Sequence, residues 1–195
     1  MKKLLALLIA ITVILTCFTA CGGEKATDGN ADASVSGETT TEIDLTPVFP
    51  GFKSETIEGK SVTQKALKGN RLTMVNVWGT FCGPCINEMP DLERISQAYA
   101  DKGVVVIGMV EDVYNSRTNE YNDDKIAKAK DIIAQTGVTF MNILSSETLA
   151  DVKLDGVTMF PTTYFLNEEG EIISEYVGSR SYDDWSRLIE SMLIA

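Results

Sequence analysis

Two cysteines, Cys82 and Cys85, stand two residues apart behind an apolar run that ends at Trp78. A CxxC pair of this kind can bind a metal, close a small loop, or exchange electrons with the thiols of another protein. The other two cysteines, Cys17 and Cys21, belong to the N-terminal segment, and the chain has no histidine. The chemistry of the pair therefore depends on what other ligands the chain supplies.

A metal site lacks ligands in this sequence. Structural zinc takes four Cys or His ligands and catalytic zinc usually three from the protein, so two thiols would need carboxylates or a second chain to complete the site. The absence of histidine also disfavours copper delivery and excludes a Cys–His nucleophilic pair. A structural disulfide that closes so short a loop constrains the unfolded chain little. Thiol–disulfide exchange is therefore predicted, with no metal and no cofactor, and a buried inert pair is the alternative.

The N-terminus has the features of an export signal. Two lysines precede an apolar run, and small residues follow before Cys21. The stretch FTACG resembles the lipobox of bacterial lipoproteins, which implies that Cys21 carries lipid; an uncleaved anchor or free secretion is the alternative. Residues 1–20 are predicted to be the signal peptide and 21–45 a flexible tether, because that polar stretch cannot repay the entropy of ordering. Residues 46–195 then form one domain.

The net charge of −11 excludes two classes of partner. Removing the signal peptide would also remove Lys2 and Lys3, which leaves the exported chain still more acidic. An acidic surface of this kind repels nucleic acid and anionic lipid. Any attachment to a membrane must therefore come from the lipid on Cys21.

The sequence around the cysteine pair predicts a strand, then a helix, then a second strand. Arg71 to Trp78 is a Val-rich run that predicts a buried strand, and Val104 to Val110 predicts another. Between them, apolar residues at intervals of three or four predict a helix that begins at the CxxC and ends at Gly103. Pro84 suits its first turn, whereas Pro90 is expected to bend it. This order predicts a parallel pair of strands with a right-handed crossover.

The rest of the chain completes a mixed α/β domain. The predicted elements are a helix over Asn122 to Gln135, a strand over Val138 to Leu144, a hairpin of Thr162 to Leu166 with Glu171 to Val177, and a helix over Tyr182 to Leu193. In open α/β sheets the functional site tends to lie at the carboxyl ends of the strands. The CxxC stands at that end of the first core strand.

Two motifs together resemble one known family. WGTFCGPCINEMPDL resembles the active-site segment of the thioredoxin superfamily, and in particular of its exported TlpA/ResA-like branch. TMFPTTYFLNEEGEII resembles the second signature of that branch, a cis-proline loop that leads into a hairpin. The resemblance covers roughly residues 46 to 195. It implies a thioredoxin-like fold, in which helices flank a central mixed β-sheet, with an N-terminal extension and a central helical insertion near Asn122 to Gln135.

Cys82 is predicted to be the exposed nucleophile. Unpaired backbone N–H groups and the positive end of the helix dipole stabilise a thiolate at the start of a helix. Cys85, one turn into the helix, would then resolve the mixed disulfide formed with a client. Gly83 and Pro84 are expected to set the geometry and to leave room for the partner's backbone.

The resemblance implies that Glu88 assists proton transfer to and from the cysteines; the alternative is a solvated glutamate, or one in the N-terminal turn that the helix dipole stabilises. Asn76 stands where thioredoxin has a buried aspartate, and Glu88 is expected to take over part of that task. Pro161 matches the cis-proline of the family, which lies against the CxxC, and an ordinary trans-proline is the alternative. Phe160 and Pro161 are expected to contact the substrate.

Three aromatic residues complete the predicted site. Phe81 stands where the branch often has tryptophan, and it would cover the cysteine pair with apolar surface. Trp78 and Tyr164 are expected to be core residues or walls of the site.

The sequence therefore predicts an extracytoplasmic, membrane-tethered thiol-disulfide oxidoreductase that reduces exported proteins. The resemblance suggests apocytochromes and oxidised repair enzymes as clients, and a membrane protein as electron donor. The alternatives are a disulfide oxidant or isomerase, a peroxiredoxin-like peroxidase, and a non-catalytic binding lipoprotein. The direction of electron flow, the client and the oligomeric state stay open.

Overall fold

The computed structural model of the chain describes residues 51–150, 157 and 159–194. The predicted signal peptide, the predicted tether and Cys21 lie outside the described residues. Within the described part, no helix combines the length and the apolar character needed to cross a membrane.

Nine strands and four helices follow one another in the described part of the chain. In order, they are β1 Lys53–Glu55, β2 Ser61–Thr63, a 3-10 turn Gln64–Leu67, β3 Leu72–Trp78, α1 Gly83–Tyr99, a 3-10 turn Ala100–Lys102, β4 Val104–Val110, β5 Tyr114–Asn115, β6 Glu120–Tyr121, α2 Asp123–Thr136, β7 Asn142–Leu144, α3 Glu147–Ala150, β8 Thr162–Leu166, β9 Ile172–Val177 and α4 Tyr182–Leu193.

The central sheet has five strands in the order β7-β4-β3-β8-β9. Strand β4 runs parallel to both β3 and β7, whereas β8 runs antiparallel to β3 and β9. All seven residues of β3 are buried, which explains why its sequence is a nearly continuous apolar run rather than an alternating one. The predicted α/β class with a mixed sheet is confirmed.

Side chains of β3 alternate between two apolar cores because successive residues of a strand point to opposite faces. Leu72 and Met74 pack with residues of α1 and α4. Val75 and Val77 pack on the other face with residues around β1, β2 and α3. A third cluster, at the carboxyl end of β3, joins Trp78 to both cysteines and to apolar residues of α2. The first core strand is thereby fixed on both faces.

The three predicted helices are confirmed as α1, α2 and α4, whereas the short α3 was not predicted. Cys82 is the N-cap of α1, and the helix continues past Pro90 as one element. Gly103, at φ 79°, closes the turn that follows α1. Asn122 caps α2 by accepting a hydrogen bond from the backbone of Lys125, and Gly137, at φ 74°, ends α2. Both glycines adopt the left-handed conformation that side chains with a Cβ disfavour.

The strand predicted over 138–144 is wrong in its first half, since β7 covers only Asn142–Leu144. Glu93 on α1 explains the difference. Its carboxylate accepts hydrogen bonds from the backbone N–H and the hydroxyl of Thr139, at 2.8 and 2.6 Å. The backbone before β7 is therefore bound to a helix side chain instead of to the sheet.

Two small sheets were not predicted. Strands β1 and β2 pair near the start of the described region, and β5 pairs with β6 between β4 and α2. Their strands are two or three residues long, too short to show an alternating apolar pattern. The predicted central insertion therefore consists of a hairpin and a helix.

Candidate active site

A disulfide joins Cys82 and Cys85 at the carboxyl end of β3, with their Cα atoms 5.3 Å apart. The sulfur of Cys82 accepts a hydrogen bond from the backbone N–H of Cys85, at 3.2 Å. Cys82 therefore caps the helix with its own sulfur. The free N–H groups and the positive end of the helix dipole lie beside the atom that would carry the thiolate charge.

The expectation that Cys82 is exposed needs correction. In the oxidised pair Cys82 is only 5% exposed and Cys85 is fully buried. Trp78 and Phe160 pack in the apolar cluster that contains both cysteines, which explains the burial. Cys82 is still the more exposed of the two cysteines, and the next two residues, Gly83 and Pro84, are exposed.

Asp112 fixes the loop between β3 and the cysteines. Its carboxylate accepts hydrogen bonds from the backbone N–H and the hydroxyl of Thr80, at 2.9 and 2.8 Å. Lys125 of α2 lies 3.5 Å from the same carboxylate. The loop that carries Cys82 is therefore tied both to the end of β4 and to the central insertion. Sequence reasoning missed Asp112, although its place directly after a parallel strand could have indicated it.

Trp78 forms an inner wall of the site. The side chain is fully buried, and its indole N–H donates to Oδ1 of Asn142 at 3.0 Å. Gly108 on β4 leaves room for this bond, because a Cβ there would come within 2.0 Å of that oxygen. Tyr164, by contrast, belongs to the core on the opposite face of the sheet, and burial raises its pKa to about 12.

An exposed apolar surface borders the disulfide. Phe81 is 62% exposed, and its ring meets that of Phe160 edge to face at 5.6 Å between centroids. Met159, which precedes Phe160, is 60% exposed. The bond between Phe160 and Pro161 is cis, and Gly178 after β9 donates its N–H to the carbonyl of Pro161 at 2.8 Å. We call Phe81, Met159 and Phe160 the apolar rim.

Glu88 lies one turn after Cys85 and is buried, only 3% exposed. Its Oε1 accepts two hydrogen bonds, from the backbone N–H of Arg180 at 2.8 Å and from the indole N–H of Trp185 at 2.7 Å. Burial raises the pKa of Glu88 above its usual range, although these two donors, the amide of Asn76 and the charge of Arg180 act in the opposite direction. The alternative of a solvated surface glutamate is therefore wrong.

Asn76 lies on β3 and is 1% exposed. Its side-chain amide donates to the hydroxyl of Thr163 on β8 at 3.0 Å. The amide also favours the ionised form of Glu88. Trp185 and Arg180 were not predicted as parts of the site, because nothing in the amphipathic pattern of the last helix distinguishes Trp185 from a core residue.

No cluster of three or more His, Cys, Asp or Glu side chains suited to a metal ion occurs among the described residues. The arrangement instead suits chemistry at sulfur. It combines a disulfide, a helix start that would stabilise a thiolate, and a buried carboxyl one turn away.

Sequence comparison finds relatives of this chain among known proteins. The family described as Redoxin matches residues 45–188. Thiol-disulfide oxidoreductase ResA of Halalkalibacterium halodurans is 30% identical over 127 residues, which cover 65% of this chain and 65% of that protein. Thioredoxin-like protein YneN of Bacillus subtilis is 28% identical over 142 residues, 72% of this chain and 76% of YneN. The alignment with ResA thus spans slightly less than two thirds of that relative.

Solved structures show the same fold at lower identity. A thioredoxin-family thiol:disulfide interchange protein of Chlorobium tepidum aligns with a TM-score of 0.62 and 24% identity, covering 76% of this chain and 97% of that one. StoA of Bacillus subtilis aligns with a TM-score of 0.55 and 24% identity over 73% of this chain and 98% of StoA. The predicted thioredoxin-like fold is confirmed.

The raised pKa of Glu88 predicts how stability depends on pH. Between the usual glutamate pKa of about 4.3 and the higher pKa in the fold, the folded protein keeps a proton that the unfolded chain has lost. Stability contributed by this carboxyl therefore falls as pH rises through that window. Relative to Glu88→Gln, wild type should lose free energy of unfolding as pH rises, measured by urea denaturation at a series of pH values.

Glu93→Gln, on the same helix, is a control for which the pH dependence of stability should have the opposite sign. Burial raises the pKa of Glu93, but the hydrogen bonds from Thr139 and Gln97 outweigh that effect, so the pKa lies below its usual range. Its contribution to stability is present above the usual glutamate pKa and is lost as pH falls through the folded one. Stability curves for wild type and Glu88→Gln that stay parallel across the pH series would contradict the assignment.

Proposed function

Because the chain belongs to the Redoxin family, we propose that it is a thiol-disulfide oxidoreductase that works through Cys82 and Cys85. The TlpA/ResA-like resemblance predicted from the sequence is confirmed by the relatives named ResA and YneN. The observation that carries the proposal is the disulfide at the first turn of α1. There a reduced Cys82 would have backbone N–H groups directed at its sulfur.

The reaction follows from the positions of the two sulfurs. In the reduced enzyme the Cys82 thiolate attacks one sulfur of a client disulfide, which releases a client thiolate and leaves a mixed disulfide. Cys85 then gives up its proton and attacks Cys82, so that the enzyme disulfide forms and the second client sulfur leaves as thiolate. Two electrons pass from enzyme to client, and the client thiolates take protons from water.

Glu88 is the proposed acceptor for the proton of Cys85. The two residues are three apart on α1, and both are buried, so they neighbour each other on one face of the helix. A carboxylate whose pKa is raised by burial is a stronger proton acceptor than an ordinary glutamate. Asn76 supports this role by favouring the ionised form of the carboxyl.

The apolar rim and Pro161 are the proposed client-binding surface. The exposed ring of Phe81 and the exposed side chain of Met159, beside the partly buried Phe160, suit an extended client segment that carries apolar residues. Gly83 and Pro84 leave the approach to Cys82 open, since no large side chain rises from either position. The sulfur of Cys82 is nevertheless covered in the disulfide. The apolar rim or the client must therefore shift when the mixed disulfide forms.

We assign the enzyme the role of reductant of exported proteins. Apocytochromes and oxidised repair enzymes are the proposed clients, and a membrane protein is the proposed electron donor. An oxidant or isomerase would use the same residues with a less reducing pair. A peroxiredoxin-like peroxidase is disfavoured because the residues directly before Cys82, which are Thr80 and Phe81, lack the proline expected upstream of a peroxidatic cysteine. A binding lipoprotein would need no redox-active pair.

The proposed location is the outer face of a bacterial cell membrane, with Cys21 as lipid anchor, residues 1–20 removed and residues 21–45 as tether to the domain of residues 46–195. The FTACG stretch supports this proposal. Metabolic labelling with a fatty acid tests it: wild type expressed in a bacterium should incorporate label and Cys21→Ala should not. Equal labelling of the two proteins would remove Cys21 as the anchor.

Reduction of insulin in the presence of dithiothreitol tests the enzymatic proposal. We expect wild type to accelerate insulin precipitation, and the double variant Cys82→Ser, Cys85→Ser to proceed only at the rate of dithiothreitol alone. Incubated with insulin after the dithiothreitol has been removed, reduced Cys85→Ser should accumulate a covalent mixed disulfide through Cys82, because no resolving thiol remains. A double variant as active as wild type would leave only the binding-protein alternative.

A further inference from the structure

The C-terminal helix contacts the buried carboxyl of the active site. Trp185 lies in the first turn of α4, is fully buried, and donates its indole N–H to Oε1 of Glu88 at 2.7 Å. The backbone N–H of Arg180, just before α4, donates to the same oxygen at 2.8 Å. A catalytic candidate on α1 is thus held from a segment more than 90 residues further along the chain.

The indole that makes this bond is fixed on several sides. The Phe165 ring lies 5.9 Å from it between centroids, and the Tyr176 ring 6.1 Å, edge to face. The guanidinium of Arg180 lies over the indole, 5.1 Å from its centroid. Such packing restricts the rotamer of Trp185, so the direction of its N–H is set before any reaction begins.

The two oxygens of Glu88 consequently differ. Oε1 accepts both donors, whereas Oε2 is buried and forms no direct hydrogen bond with the described residues, although the amide of Asn76 is near enough to favour the ionised carboxylate. A carboxyl that accepts at one oxygen carries its proton on the other. Oε2 is therefore the oxygen left to bind and release a proton.

We propose that Trp185 is a positioning residue of the thiol chemistry, which fixes the carboxyl of Glu88 with Oε2 free for proton exchange and stabilises the ionised carboxylate. This inference rests on the proposed function and on the role of Glu88 within it. It adds a part of the machinery that lies outside both motifs. The C-terminal helix then contributes to the site as well as to the core.

The surroundings of Glu88 identify what the indole contributes. The amide of Asn76 on β3 faces the carboxyl of Glu88. The backbone N–H and the charge of Arg180, in the segment before α4, face the same carboxyl. On α1 itself, Cys85 is bound in the disulfide, and Asp91 is occupied by the side chain of Arg94 and the backbone N–H of Tyr182. Loss of the indole would leave one hydrogen bond on Oε1.

Trp185→Phe removes the donor and keeps an aromatic ring. Since the lost bond favours the carboxylate, the pKa of Glu88 should rise further. The pH profile of insulin reduction should therefore move to higher pH, and kcat/KM at neutral pH should fall about tenfold, the size expected for loss of a hydrogen bond to a charged group. Ile189→Val is the matched control: Ile189 is buried one turn later on α4, and its profile should equal that of wild type.

The double variant Glu88→Gln, Trp185→Phe separates positioning from packing. If Trp185 acts through Glu88, adding Trp185→Phe to Glu88→Gln should not move the pH profile further. A Trp185→Phe profile identical to wild type, or one that shifts equally with and without Glu88, would overturn the inference and leave the proposed function intact.

Failure of the proposed function would look different, because wild type itself would then not reduce insulin. If Trp185→Phe does not fold, Trp185→Leu, which also removes the indole N–H and introduces no other donor, provides the same comparison. A Trp185→Leu profile that coincides with wild type would equally overturn the inference.

Discussion

The junction between β3 and α1 is the constraint on which the proposed chemistry depends. Strand β3 is buried along its whole length, with β4 and β8 beside it and an apolar core on each face. The position of its carboxyl end is therefore fixed. The helix that follows begins within five residues, and its unpaired N–H groups are therefore presented at a fixed point. Cys82 occupies that point and caps the helix through sulfur. A thiolate formed there gains stabilisation without any rearrangement of the backbone.

A second feature is the division of polar groups around the cysteine pair. Asp112 and Lys125 hold the loop on one side, while Glu88, Trp185 and Arg180 form a buried network on the other. The first network is charged and paired, so it restrains the loop. The second contains a buried carboxyl whose pKa is raised by desolvation. Restraint and proton exchange are thereby assigned to different side chains, which allows each to be altered separately.

The sequence predicted the parts that depend on local pattern. The buried strands, the helix start at the CxxC, and the helix predicted from residue 122 follow from periodicity and from the conformations that single residues adopt. The strand over 138–141 was wrong because Glu93, 46 residues earlier, binds Thr139, and no local signal reports such a contact. Trp185 was missed for the same reason: a tryptophan on an apolar helix face reads as core. The burial of Cys82 depends on Phe160, which only the fold brings to it.

The reduction potential of the Cys82–Cys85 pair, measured by equilibration of the purified protein against defined thiol buffers, tests the central claim most directly. A reductant of exported proteins should have a potential near or below about −250 mV, towards thioredoxin's end of the range. A value above about −150 mV, towards that of strong periplasmic oxidants, would contradict the account and make the protein a donor of disulfides.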